Sequence, residues 1–181
     1  MVIQLPTELD GERVKLRCWT VDDAETLSAL VLANLDHLRP WMPWIATEPL
    51  TLAERRELIA GWDQEREAGG DAIYGIHVDG EAIGGCGLHR RIGPDGLEIG
   101  YWVAQPHCRQ GYASEAAAVL TAAAFSIAGI RRVEIHHERE NIASAGVPRR
   151  LGYRFIGERP ADDPAPGGAG ISWVWRIERW S

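Results

Sequence analysis

The sequence predicts a mixed α+β fold, a mostly antiparallel twisted sheet of six or seven strands flanked by about four helices. Three observations lead there. Short runs with alternating apolar residues crowd the middle of the chain, two of them joined by the turn pair Asp79-Gly80. Stretches with apolar residues at helical spacing stand on both sides of that block, several opened by a capping pattern or closed by glycine. Finally, 181 residues, 45% hydrophobic and 25% charged, without internal repeat or linker, suit one layered domain and are too few for two ordinary ones. That domain is expected over residues 1–181, with its core from about 14 to 180.

Val14-Lys15-Leu16-Arg17-Cys18-Trp19 alternates as a strand with one buried face does. Thr20, followed by Asp22 and Asp23, opens a first helix with a capping hydroxyl and acids in the first turn, and Ala24, Leu27, Leu30 and Val31 continue it. From Leu38 to Pro49 the pattern breaks: Trp41, Met42, Trp44 and Ile45 stand among Pro40, Pro43 and Pro49, which predicts a loop carrying large aromatic groups. Thr51 and Glu54 form a capping box for a second helix, Leu52 to about Ala68, with Leu58, Ile59 and Trp62 on one face and Gly69-Gly70 as its stop. Ala72 to Val78 and Ala82 to His89 flank Asp79-Gly80 as a hairpin. Gly93-Pro94-Asp95-Gly96 turns the chain into a further strand, Leu97 to Ala104, making an antiparallel meander. An Ala-rich helix follows from about Tyr112 to Ala128, closed by Gly129. Arg132 to Glu138 reads as a strand, Ile142 to Leu151 as a short helix, Tyr153 to Glu158 as a strand, Ala161 to Gly170 as a Pro/Gly loop, and Ile171 to Arg179 as the last strand.

Composition narrows the function classes. No apolar run approaches the roughly 20 residues of a membrane span. Met1 to Arg17 alternates apolar residues with Gln4, Glu8, Asp10 and Glu12, lacking the basic start and apolar stretch of a signal peptide, so the protein is expected in the cytoplasm. A net charge of -7 disfavours nucleic acid and suits a cationic partner such as a protonated amine. Cys18, Cys86 and Cys108 lack zinc-site spacing and are expected as thiols, with no metal. Cys108 stands beside His107, but neighbours in a Pro- and Gly-bounded loop seldom point at each other, which disfavours a cysteine nucleophile.

The stretch that carries chemistry is Leu97-Glu98-Ile99-Gly100-Tyr101-Trp102-Val103-Ala104 with the following Gln105-Pro106-His107-Cys108-Arg109-Gln110-Gly111-Tyr112-Ala113-Ser114-Glu115-Ala116. A strand feeds a loop that enters a helix through Gly111 and the small Ala113. Helix starts leave N–H groups unpaired at the positive end of the macrodipole, so this is an anion site that a pyrophosphate can approach closely, with Arg109 beside it. An ordinary helix start has the same form. A Rossmann fingerprint is missing, since no Gly-x-Gly-x-x-Gly follows a strand, and no Gly-Lys-Ser/Thr marks a P-loop.

These residues resemble the acetyl-CoA segment of the GNAT superfamily, most closely its RimJ/RimL-like branch, the ribosomal-protein N-terminal acetyltransferases and relatives. Asn141-Ile142-Ala143-Ser144 and Leu151-Gly152-Tyr153-Arg154 are similar to that branch's Asn-x-x-Ser…Leu-Gly-Phe pattern. The opening is similar as well, in Leu16-Arg17 and in His37-Leu38-Arg39-Pro40-Trp41-Met42, so the resemblance covers nearly the whole chain. There are two departures. Cys108 stands three residues before Gly111, where the superfamily usually has Gln or Arg, and Pro148 falls inside the predicted short helix, where a kink or late start is expected.

The resemblance implies a GNAT-type fold and an acetyl-CoA-dependent N-acetyltransferase, in which a primary amine attacks the thioester directly. That amine would be a protein N-terminal α-amine or a small molecule. The resemblance also implies acetyl-CoA as co-substrate and, in many relatives, a homodimer. Tyr101, Trp102 and Val103 would contact the pantetheine arm, with the Val103 amide as oxyanion donor; Arg109, Gln110, Gly111, Tyr112, Ala113 and Ser114 would cradle the pyrophosphate. Ser144 would act as general acid toward the sulfur, Asn141 would bind cofactor, and Glu98 would serve as general base. Read from the residues alone, Tyr101 and Val103 also suit a core face, Asn141 and Ser144 a helix cap, and Glu98 a solvated strand face. His136 and His137, on opposite faces of one strand, are further candidate bases, as are Asp162 and Asp163. Trp41, Trp44 and Trp62 are expected to roof the acceptor pocket, where aromatics exclude water and attract a cation, although a core or dimer contact would use them equally. Trp173 and Trp175 are expected in the core. The alternative function is a catalytically silent acyl-CoA-binding sensor or interaction module.

Overall fold

The computed structural model describes residues 5–179; Gln4, at the start of the N-terminal alternation, and Trp180, at the end of the expected core, lie outside them. In chain order the strands are β1 (Glu8–Asp10), β2 (Lys15–Cys18), β3 (Ala72–Val78), β4 (Glu81–His89), β5 (Gly96–Val103), β6 (Arg132–Glu138), β7 (Arg154–Pro160) and β8 (Ile171–Glu178). The helices are α1 (Ala24–Leu32), α2 (Leu35–Leu38), α3 (Leu52–Glu67), α4 (Tyr112–Ser126) and α5 (Ile142–Arg150). All eight strands form one sheet of order β1-β2-β3-β4-β5-β6-β8-β7. Every neighbouring pair is antiparallel except β5 and β6, which run parallel because α4 crosses over between them.

The sheet exceeds the predicted six or seven strands by β1, three residues long and paired with β2 from Glu8↔Arg17 to Asp10↔Lys15. The extra helix α2 is a single turn, and the aromatic segment expected as loop contains a short 3-10 turn, Pro43–Thr47. Helix α4 stops at Ser126 rather than running to Ala128, and Gly129 takes its positive φ of 89° beyond the helix end.

Helices cover both faces of the sheet. Small side chains let α4 lie close on one face: Ala116, Ala117, Leu120 and Ala124 are buried there against Leu88, Leu97, Ile99 and Val133. On the other face α1 and α3 enclose a second core of Trp19, Leu27, Val31, Leu38, Ile45 and Ile59. The predicted cap of α3 forms, with Glu54 N–H donating to Thr51 Oγ1 at 3.3 Å and Thr51 N–H donating to Glu54 Oε2 at 2.8 Å. A buried ion pair fixes the aromatic segment to this layer. Arg55 Nη2 donates to both Glu48 oxygens at 2.7 and 2.8 Å, and Arg55 Nε reaches Ser28 Oγ at 3.2 Å. Among the described residues no helix is long and apolar enough to cross a membrane.

Candidate active site

Strands β5 and β6 pair only from Gly96↔Arg132 to Ile99↔Ile135. Beyond that point each keeps its outer neighbour: β5 stays on β4 as far as Gly84↔Val103, and β6 stays on β8 as far as Glu138↔Ser172. The sheet therefore forks. A cavity of about 460 Å³ is lined by both arms, by the start of α5 and by the tryptophan segment. Ala104 N–H donates toward β4, to Ile83 C=O at 2.8 Å. Backbone groups alternate sides along a strand, so the Val103 amide, one residue earlier, points away from β4 and into the fork.

At the far end of β5 the chain enters α4 through two left-handed residues, Arg109 (φ 62°) and Gly111 (φ 89°). Glu115 N–H is the first to enter the helical ladder, donating to Gly111 C=O at 3.0 Å. The amides of Tyr112, Ala113 and Ser114 precede it and stand at the helix's positive end. A Cβ on Gly111 would be strained and would meet Arg13 Nη2 at 3.1 Å. Arg13 braces the turn: it donates to Gln110 C=O at 3.1 Å, pairs through Nε with Glu115 at 3.0 Å, and stacks over the Tyr112 ring at 4.9 Å. Burial raises the Glu115 carboxyl, but bonds from the Arg13 and Val14 amides and from the Arg13 side chain outweigh it and hold the group below the ordinary range. A bare helix start with a mandatory glycine, backed by an arginine, fits a pyrophosphate. Cys108 explains its own departure: its thiol donates to the carbonyls of Val103 and Ala104 at 3.6 Å, pinning the loop to β5. Sγ lies 3.6 Å from His37 Nε2, and burial raises the thiol, which leaves it a poor nucleophile.

Helix α5 starts at Asn141, whose Oδ1 accepts the Ser144 amide at 3.1 Å, so the local capping reading of Asn141 holds. Pro148 sits inside α5 without a full break of the helix. It has no N–H to give the carbonyl of Ser144 four residues earlier. The Tyr101 hydroxyl supplies one, lying 3.1 Å from Ser144 C=O and 2.9 Å from Ser144 Oγ. Burial pushes the phenol up, so it remains a neutral donor. Tyr101, on the fork's β5 arm, thus touches the serine on α5.

The acceptor side of the cavity lies on the opposite face of the sheet from α4. Gly85, Gly87 and His89 of β4 stand directly across from Trp102, Gly100 and Glu98 of β5 and share that face. Trp41 and Trp62 line the cavity with Trp44 and Trp19. Glu98 is buried and fully engaged: Arg91 donates to its two oxygens at 2.6 and 3.0 Å, and His136 Nδ1 lies 3.2 Å from Oε2. His136 Nε2 is 2.7 Å from Glu134, which also takes Arg176 Nε at 2.8 Å. Burial raises Glu134, and the bonds to His136 and Arg176 more than reverse this. His137 faces the other way, as strand alternation requires. Its Nδ1 bonds Glu138 C=O at 2.8 Å, its Nε2 accepts Trp175 Nε1 at 2.9 Å, and burial lowers it. Trp175 is buried beside it and Trp173 packs at the edge of the same core. Asp162 and Asp163 stand at the cavity's rim, where Arg159 pairs with Asp162 at 3.1 Å.

The forked sheet and the bare helix start together suit an extended, phosphate-bearing ligand, the kind of donor an acyltransferase uses. The sequence profile of the acetyltransferase (GNAT) domain matches residues 13–154, well over half of the sequence, and the chain belongs to the GNAT acetyltransferase family. It is an N-acetyltransferase that draws its acetyl group from acetyl-CoA and passes it to an amine. By sequence it is similar to the Bacillus subtilis (strain 168) protein named "Putative ribosomal N-acetyltransferase YdaF", 29% identical over 145 residues that span 79% of each chain. By structure it is similar to RimL, a ribosomal L7/L12 α-N-protein acetyltransferase in complex with coenzyme A (TM-score 0.84, 22% identity, covering 97% of this chain and 98% of that one). A further similar structure is a probable acetyltransferase (TM-score 0.87, 25% identity, 95% and 97% covered).

Glu98, Tyr101, Trp102, Asn141 and Ser144 line one cavity with the three tryptophans, whereas Arg109 to Ser114 form the turn into α4 outside that lining, and several of their partners escape sequence reasoning. The Arg13–Glu115 brace joins residues 102 apart, and the bond from His89 Nδ1 to Asp71 Oδ2 at 2.6 Å joins residues 18 apart. For His89 a signal existed: it continues the two-residue period of Gly85 and Gly87 along one strand face.

Proposed function

We propose that this chain acetylates the α-amine of a polypeptide, of the ribosomal-protein kind, in the forked cleft. Acetyl-CoA supplies the activated acetyl thioester. The fork carries the reading: it turns the Val103 amide into a slot whose outer end is the bare start of α4. Arg109, Gln110, Gly111, Tyr112, Ala113 and Ser114 would hold the pyrophosphate, while Tyr101, Trp102 and Val103 would line the pantetheine arm. The Val103 N–H would bond the carbonyl oxygen as negative charge develops on it. Asn141 holds Ser144 at the helix start, and Ser144, hydrogen-bonded to Tyr101, would deliver a proton toward the departing sulfur. Trp41, Trp44 and Trp62 would exclude water and attract the incoming cation, with Asp162 and Asp163 at the rim adding negative charge. Glu98, expected as the base, has both oxygens taken by Arg91 on the cavity face, so its part would be to hold that arginine.

A polypeptide acceptor is supported by the names of YdaF, 29% identical to this chain over the aligned residues, and of RimL, which shares its fold. The test is CoA thiol release across short peptides with different N-termini, polyamines, aminoglycosides and amino acids. Peptide-dependent release, reduced about 10²-fold or more in Ser144→Ala, is the expected result. Release with small amines but with no peptide would reject the polypeptide acceptor. Tight acetyl-CoA binding without release on any amine would favour the silent sensor.

A further inference from the structure

Transfer to an ammonium needs a proton acceptor, and the groups nearest the fork, Glu98, His136 and His137, are already engaged. Glu138 accepts the Gly170 amide, and Asp162 and Asp163 stand at the outer rim. Glu98 is bidentate to Arg91, with both oxygens taken. His136 donates through Nε2 to Glu134 at 2.7 Å and accepts Arg159 Nη2 at Nδ1 at 3.2 Å. His137 lies across the sheet with both nitrogens paired. His89 differs. It ends β4 on the cleft face, its side chain 17% exposed, and its Nδ1 lies 2.6 Å from Asp71 Oδ2. Asp71 is itself fixed, since its Oδ1 accepts the Arg90 amide at 2.7 Å.

The other nitrogen lies against two glycines. A Cβ on Gly87 would lie 3.0 Å from His89 Nε2, and one on Gly100 would lie 3.3 Å from it. Neither glycine has one, so the nitrogen fits into the space they leave, in the wall of the cavity that all three residues line. Gly100 is the first residue of β5 past its last pair with β6, so Nε2 stands at the root of the fork. A carboxylate on Nδ1 selects the tautomer with hydrogen there and the lone pair on Nε2. Burial raises Asp71, but its bonds from His89 and the Arg90 amide prevail and keep it an ionised acceptor.

We propose that His89 is the general base of the acetyl transfer, with Nε2 taking the acceptor's proton and Asp71 acting as the positioning residue behind it. The assignment rests on the cleft being the site of transfer. In the step, the acceptor ammonium gives one proton to Nε2. The freed lone pair forms the N–C bond as the C–S bond breaks with its electrons on sulfur. His89 passes this proton to solvent, then takes and passes on the second one that the acylated nitrogen loses. Ser144 gives its proton to sulfur and regains one from solvent, so that one proton is released overall. The charged groups that face His89 are Asp71 at the start of β3, Glu98 directly across on β5, and Arg91 two residues on, held by Glu98.

The test is the pH profile of kcat for the wild type, His89→Gln and Asp71→Asn, with acetyl-CoA affinity measured in parallel by tryptophan fluorescence. His89→Gln should lower kcat by about 10²–10⁴-fold and abolish the acid-side limb, with acetyl-CoA affinity changed less than about threefold. Asp71→Asn should lower kcat less and move the limb, because the ring keeps its lone pair but loses its orienting charge. Wild-type kcat and an unmoved limb in His89→Gln would overturn the proposal. Should that variant fold poorly, an unmoved limb in Asp71→Asn overturns it instead. A wild-type protein that binds acetyl-CoA but acetylates no amine would sink the transfer reading itself, and His89's role with it.

Discussion

Removing one hydroxyl should destabilise this protein only because a proline lies nearby. Tyr101 donates to the Ser144 carbonyl at 3.1 Å, the group that Pro148 leaves without its helical partner. In Tyr101→Phe that carbonyl has no protein donor. An unpaired buried carbonyl costs about 1–3 kcal/mol, and since Ser144 is only half-buried, water replaces part of the loss, giving about 1 kcal/mol. Pro148→Ala restores an N–H at the position where an α-helix directs it to Ser144 C=O. In that background Tyr101→Phe should be nearly neutral. Proline's effect on the unfolded chain, about 0.4–1 kcal/mol, enters both arms of the cycle and cancels. Urea unfolding of the wild type, both single variants and the double variant measures the coupling, expected at about 1 kcal/mol against the roughly 0.3–0.5 kcal/mol scatter of independent sites. The same Tyr101→Phe loss in both backgrounds would refute the idea that the phenol substitutes for the missing amide.

Other outcomes follow from neighbouring features. Gly111→Ala puts a Cβ at φ 89°, which should cost about 1–3 kcal/mol and weaken acetyl-CoA binding at least tenfold by titration calorimetry; unchanged affinity would remove the α4 start from the phosphate site. Glu48→Gln leaves Arg55, 2% exposed, without its counter-charge, and chemical denaturation should register a loss of about 3–5 kcal/mol. Glu134 and Asp71 ionise more readily in the folded protein than in the unfolded chain, so their contribution is complete above the ordinary carboxylate range and drains away as pH falls through their depressed native values. Unfolding followed from pH 6 to pH 3 should therefore show a falling midpoint, and Glu134→Gln should flatten the slope.

Local signals were the legible ones. Thr51 and Glu54 announce the start of α3 because a capping box is complete within four residues, and Asp79-Gly80 announces its hairpin because both residues take positive φ, 50° and 86°. The phosphate turn is legible for the same reason, since strand, loop and helix start are contiguous. β1 escapes because three residues show no period. The parallel pairing of β5 with β6 escapes because a crossover through α4, rather than any property of either strand, sets it. In the site, the kinds of residue are readable and their partners are not. Glu98 reads as a free carboxylate until Arg91 is seen to close on it, and His89 reads as the end of a strand until Asp71 is found behind it.

The fork has a thermodynamic consequence. A sheet's interior normally has no edges, yet here two short ones face each other inside it, held apart because β4 and β8 retain their grip on the diverging arms. Neither arm can close the gap without surrendering pairs on its other side, so the slot stands ready and no strand need be pulled away to admit a ligand. An extended molecule with alternating donors and acceptors is then received as a missing strand would be, through main-chain groups. Trp102, on the acceptor face of residues 100–103, can then be exchanged while the main-chain groups of the slot stay in place.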